Sequence, residues 1–263
     1  MDMFDFSWFN QPDAWAALFT LTLLEIILGI DNIVFISILS DRLPPEQRAK
    51  GRIIGLGLAM VTRLMLLATI SWIMSLKAVL FSIPVHPAFW KMAPQVAEHH
   101  GLLGISGKSL ILLIGGCFLI WKATKEIHHK LEDHKDAHKT SKVASLGAVL
   151  AQIAIIDIVF SIDSVITAAG MADHLSVMML AVVISVGMMM LAAGTISKFV
   201  SKHPSIKMLA LSFLILIGTA LIAEGFHFEI PKGYIYFAMA FSLSVEMLNL
   251  KIRSRSGSVP APH

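Results

Sequence analysis

Four carboxylates sit where a carboxylate is costly. Glu25 and Asp31 lie in LTLLEIILGIDNIVF, and Asp157 and Asp163 lie in AIIDIVFSIDSVIT, surrounded on both sides by apolar residues. An Asp or Glu at the centre of a spanning helix opposes insertion by roughly 2.5–3.5 kcal/mol. Four of them, ionised and facing lipid, would oppose it by about 10 kcal/mol. They are therefore expected to face the protein interior, and either to be protonated or to hold something positive. Asn32 and Ser164 each follow the second acid of a pair and add neutral oxygens. Oxygen donors with no neighbouring cysteine suit a hard divalent cation such as Mn2+, Mg2+ or Ca2+ better than Zn2+ or Cu+. Protons can occupy the same carboxylates, which allows metal/proton exchange. Six residues of ideal helix turn through about 600°, so the two acids of a pair point roughly 120° apart. Gly29 and Ser161, between them, are placed to permit a break that would expose backbone carbonyls as further ligands.

Other polar residues in apolar surroundings have two readings each. Glu246 and Asn249, in FSLSVEMLNL, are three residues apart and share a helix face. They either extend the pathway or make an interhelical bond near the end of the span. Arg63 either neutralises the carboxylates when no metal is bound or forms a structural pair. Glu224 is expected at an interface. The segment EIHHKLEDHKDAH at 126–138 reads as a solvated mixed-charge linker, because its histidines show no fixed ligand spacing, and metal loading is the sharper alternative. Cys117 is the only cysteine and excludes an intramolecular disulfide.

The elements that must position these residues are membrane spans. The 263-residue chain is 56% hydrophobic and only 15% charged, with a mean hydropathy of +0.75. A soluble domain carries about 25% charged residues, so the deficit points to the bilayer. The pI near 9.0 does not indicate nucleic acid, since the basic residues sit in short loops between apolar runs. Seven spans are expected, at 14–40, 53–76, 102–121, 143–170, 175–197, 207–224 and 233–250. Arg and Lys in the 41–52, 122–142 and 198–207 connections and in the tail after 250 number sixteen, against four in the alternate connections (Lys77, Lys91, Lys108 and Lys232). The basic connections and the C-terminus are thus expected in the cytoplasm and the N-terminus outside. The acidic MDMFDFSWFNQPD start lacks a basic n-region, so the first span is expected to act as its own targeting signal.

The spans repeat. LLEIILGIDNIVF (23–35) aligns without gaps on IIDIVFSIDSVIT (155–167), matching Glu25 to Asp157, Gly29 to Ser161, Asp31 to Asp163 and Asn32 to Ser164. RLMLLATIS (63–71) corresponds loosely to GMMMLAAGTIS (187–197), and LLIGG (112–116) to LILIGT (214–219). Three spans repeated must cross the membrane in opposite directions, as in many secondary transporters with midplane sites. The expected fold is an all-α polytopic helical bundle, an inverted 3+3 repeat plus one helix. Its segments are an external tail at 1–13, a first repeat at 14–121, a His- and Lys-rich cytoplasmic loop at 122–142, a second repeat at 143–224, a seventh span at 225–250 and a cytoplasmic tail at 251–263. Antiparallel helices would set Glu25 level with Asp163, and Asp31 level with Asp157.

The pair LLEIILGIDN and DIVFSIDS, followed by HPSIKMLALSFLILIG and PKGYIYFAMAFSLSVEMLN, resembles the TerC family of membrane proteins from about residue 13 to 250. Within it the chain is similar to short bacterial members without appended soluble domains. The resemblance implies the wider LysE-type superfamily of exporters, an inner-membrane location and a role in Mn2+ efflux or metal homeostasis. The family name comes from tellurium resistance, and members are linked to metal loading of exported enzymes. The resemblance maps its acidic positions onto Glu25, Asp31, Asp157 and Asp163. The expected function is export of a divalent cation, Mn2+ first, with Glu25, Asp31, Asn32, Asp157, Asp163, Ser164, Glu246 and Asn249 as metal ligands. The expected partners are the bilayer and the transported ion, with no resident cofactor and no nucleic acid. Alternatives are a non-transporting partner in resistance or secretion, and an amino-acid exporter. An intramembrane aspartyl protease is remote, because LGIDN and FSIDS lack the GxGD context of such enzymes; no enzymatic activity is expected.

Overall fold

A computed structural model of the chain describes residues 7–69, 78–84, 102–132, 145–170, 174–228 and 230–256. Among the described residues the long elements are α1 (Pro12–Ser40), α2 (Pro45–Ala68), α3 (Gly107–Glu132), α4 (Leu146–Ala169), α5 (Leu175–Lys202), α6 (Pro204–Gly225) and α7 (Lys232–Ser256). Between α2 and α3 runs a short antiparallel ribbon, β1 (Val79–Pro84) paired with β2 (Leu102–Ser106). All the helices but α3 are long and apolar enough to cross a membrane. The fold is a multi-pass helical bundle.

Local chemistry sets the helix ends. Pro12, Pro45 and Pro204 each open a helix at a position where the missing N–H is harmless and the fixed φ is helical. The end of α6 turns through His227, whose φ of 63° is left-handed. Phe228 N–H bonds to the Ala223 carbonyl and His227 N–H to the Glu224 carbonyl, both at 2.9 Å, which closes the helix as a Schellman motif. The His227 ring then reaches the Gly104 carbonyl of β2 at 2.6 Å, tying the ribbon to α6.

Several expected boundaries move. Residues 102–106, expected to begin the third span, form strand β2 instead, and α3 continues past 121 to Glu132. Arg42 engages Glu126 and His128 pairs with Glu132 at 3.1 Å, so the helix is held well beyond its apolar stretch. Helix α2 starts at Pro45 rather than 53, and the remainder of that expected span, 70–76, lies outside the described residues. Helix α1 is unbroken at Gly29. A Cβ there would lie 2.2 Å from Met189 Sδ, so the glycine serves close packing of α5 on α1 rather than local unwinding.

The packing has the symmetry of an inverted repeat. Helix α1 lies against α5, α2 against α4, and α3 against α6. Exchanging the halves turns the α1/α5 contact into α4/α2 and returns α3/α6 to itself. On that self-related contact a Cβ on Gly116 would sit 2.6 Å from the Gly218 carbonyl, and one on Gly218 would sit 2.9 Å from the Gly116 carbonyl. Burial also fixes the register that the sequence leaves loose. The buried Gly51, Gly55, Leu56, Ala59, Arg63 and Leu67 of α2 match, at one constant offset, the buried Val177, Ala181, Val182, Ser185, Met189 and Ala193 of α5.

Candidate functional site at the centre of the bundle

Glu25 lies near the middle of α1 and Asp157 near the middle of α4, and Arg63 of α2 joins them. Its Nη1 donates to Glu25 Oε2 and its Nε to Asp157 Oδ1 at 3.2 Å, with Nη2 ion-paired to the same Asp157 oxygen at 3.1 Å. Thr62 Oγ1 donates to the other Asp157 oxygen at 2.8 Å. The three charged residues are only 5%, 4% and 3% exposed for Glu25, Asp157 and Arg63. An ionic cluster this deep holds together only because each charge meets an opposite one through directed hydrogen bonds.

This geometry corrects the expected depths. Glu25 shares a guanidinium with Asp157, not a level with Asp163. The two are repeat equivalents, and each lies close to the midpoint of its own helix, so they meet at one level of the bundle. Arg63 pairs with two of the expected carboxylates themselves, a geometry common to both of its readings. By the register above, its repeat equivalent is Met189, so the two halves differ by one charge at this position.

Asn32 and Ser164 are buried beside the cluster. Together with Arg63 they line a cavity of about 90 Å3 whose walls include Leu28, Phe160, Leu221 and, from α7, Tyr236. At roughly 10–15 Å3 for each water position, such a space admits several waters or a partly hydrated ion. It runs to Glu224 and Lys232, at the end of the bundle opposite the basic connections. There Lys108 pairs with Glu224 at 2.6 Å. Glu224 thus stands at the mouth of the cavity, a role its terminal position in the sixth span did not disclose.

Toward the basic end the space narrows. Asn32 and Asp157 border a second cavity of only about 10 Å3, closed by Phe35, Ile36, Ile153 and Ile156. Gly55 brings α2 against this plug, since a Cβ on it would lie 2.9 Å from Ile153 Cδ1 and 3.6 Å from Ile36 Cγ2. One turn further, Gly51 packs on Leu43 and Leu146. Small residues four apart let three helices close tightly.

Glu246 and Asn249 bond to each other at 3.4 Å on α7 and line neither cavity. The side chains of Asp31 and Asp163 lie outside the described residues, as do His134 and His138. Among the described residues no three His, Cys, Asp or Glu side chains converge as a metal cage. The described part of the site is two carboxylates, their guanidinium, a hydroxyl partner and a cavity.

Residues 10–257 match the family model described as integral membrane protein TerC family. The chain is 54% identical over 245 residues to the UPF0053 inner membrane protein YgdQ of Escherichia coli K12, covering 93% of this chain and 96% of that protein. A UPF0053 protein of Haemophilus influenzae is 53% identical over 250 residues, with 94% and 98% covered. The UPF0053 inner membrane protein YoaE of Escherichia coli K12 is 49% identical over 241 residues, 91% of this chain but 43% of that longer protein. No solved structure matches.

Proposed function

The chain belongs to the TerC family of integral membrane proteins, and from that premise we propose that it carries a divalent cation, Mn2+ first, across the bacterial inner membrane through the Glu25–Asp157 site. The observation that supports this reading is the position of Arg63. A fixed cation already stands between two buried carboxylates, on the wall of a cavity that opens to one end of the bundle. An incoming metal ion would compete with the guanidinium for the same oxygens, with Asn32 and Ser164 at hand as neutral donors. The oxygen donor set suits a hard cation. An amino acid would need Arg63 for its carboxylate, but Nε, Nη1 and Nη2 are already turned to Asp157 and Glu25.

The inverted repeat supplies the movement. With the cavity open at one end and the Ile36–Ile153 plug shut at the other, rocking one repeat against the other exposes the site alternately. The Lys and Arg asymmetry sets the basic end in the cytoplasm, so the open cavity faces outside and export requires the plug to part. Carboxylates that release the metal can take protons in its place, which gives exchange.

Binding tests this reading directly. The purified protein, titrated with Mn2+ and followed by loss of the free-ion electron paramagnetic resonance signal, should bind the ion, and Asp157→Asn should weaken binding tenfold or more. Absence of saturable binding to the wild type would remove the proposal.

A further inference from the structure

At the basic end of the bundle, four cations meet two carboxylates. Lys122, Glu126 and Lys130 recur every fourth residue along α3 and share one face. Glu126 would bridge both lysines, but Arg42 claims it through Nε at 3.1 Å and through Nη2, leaving Nη1 of Arg42 unused in that clamp. Lys207 of α6 closes on Asp41, whose oxygens also accept from Ser201 at 3.1 and 3.0 Å. Lys122 and Lys130 are left with no hydrogen bond or ion pair among the described residues. Lys122 is only 8% exposed and feels the charges of Arg42 and Glu126. Lys130, beyond the apolar stretch, lies in the field of Lys207, Glu126, Asp41 and Arg42. Burial first, and then Lys207, holds its ammonium below the ordinary lysine range.

Four positive side chains against two negative ones leave a half-buried excess of charge. An ammonium partly withdrawn from water with no counter-ion of its own is costly, and an anion with several oxygens would satisfy both lysines and the spare Arg42 edge together. We propose that Arg42, Lys122, Lys130 and Lys207 form a binding site for a phosphate group. Its location at the end of the apolar helices allows two sources, an anionic lipid headgroup or free inorganic phosphate. Basic pockets at this level of a membrane protein suit phosphate headgroups.

The experiment uses full-length, delipidated protein in neutral detergent, with thermal unfolding and native mass spectrometry as readouts. Cardiolipin, inorganic phosphate and phosphatidylcholine are added separately to the wild type, to the double variant Lys122→Gln/Lys130→Gln and to the control Lys50→Gln/Lys198→Gln. The control removes two exposed charges from the same end. Without added anion the double variant should unfold at or above the wild-type temperature, because it loses repulsion rather than a contact. Cardiolipin should stabilise wild type and control and lose at least tenfold in affinity for the double variant. Stabilisation by cardiolipin alone assigns the site to a headgroup, and an equal effect of inorganic phosphate assigns it to the free ion. The proposal is overturned if neither anion shifts the wild type, if the double variant binds as well, or if the control loses as much. A double variant that is less stable in the absence of anion overturns it too, since that result makes the lysines structural.

Discussion

Arg63 decides what the central carboxylates can do. Removing one partner of a buried ion cluster costs about 3–5 kcal/mol, because the remaining charges stay desolvated and unpaired. Arg63→Gln should therefore lower the unfolding temperature markedly. Millimolar Mn2+ should restore more stability to this variant than to the wild type, since the ion takes the place of the guanidinium. Equal metal response in the two proteins would separate Arg63 from the ion site. Glu25 and Asp157 were legible in the sequence because a carboxylate in an apolar helix has few uses and the repeat picks out equivalent ones. Arg63 was legible as a cation able to neutralise them, but which two acids it joins was not. Arg63 is 38 residues from one acid and 94 from the other, and helix depth counted from uncertain ends pairs the wrong acids. The signal that existed was the register of the second and fifth spans, where aligning the shared Thr-Ile-Ser places Arg63 on Met189.

Among the elements, the glycines separate into two kinds. Gly116 and Gly218 face each other's carbonyls across the α3/α6 contact, so a methyl group on either has no room. Gly116→Ala and Gly218→Ala should each destabilise by about 1–3 kcal/mol, the usual cost of overpacking, and by similar amounts because the contact is self-related. Gly194, by contrast, has nothing near its missing Cβ, so Gly194→Ala should stabilise by up to about 1 kcal/mol through helix propensity. Thermal unfolding in detergent checks all three, and a harmless Gly116→Ala would contradict the close crossing. Helix existence was readable from apolar length alone, but the ribbon was not. LLGIS is a short apolar run with no periodicity to distinguish strand from helix, and its pairing with β1 depends on a distant segment. The extension of α3 to Glu132 was hidden for the same reason, since the contacts that hold it come from Arg42 on another connection.

For the whole molecule, the central cavity reaches the end opposite the basic connections, and the Ile36–Ile153 plug closes the other end. Leu28→Cys, introduced with Cys117→Ser, places a thiol on the wall of the central cavity, beyond the Ile36–Ile153 plug as seen from the basic end. It should react slowly with an impermeant maleimide applied from the basic side, and faster when Gly55→Leu wedges the plug. Fast labelling without the wedge would mean that this end is not sealed. The repeat, and with it the bundle, could be read from two thirteen-residue segments. Which end stands open could not, because the plug depends on side chains from three helices meeting at Gly55.

The central claim is that Glu25 and Asp157 carry the transported ion, and flux tests it most directly. Protein reconstituted in vesicles with an internal Mn2+ indicator should show Mn2+ movement that exceeds empty vesicles and falls at least tenfold in Glu25→Gln and in Asp157→Asn at matched protein levels. Wild-type flux retained by both variants, with the fold intact, would contradict the account.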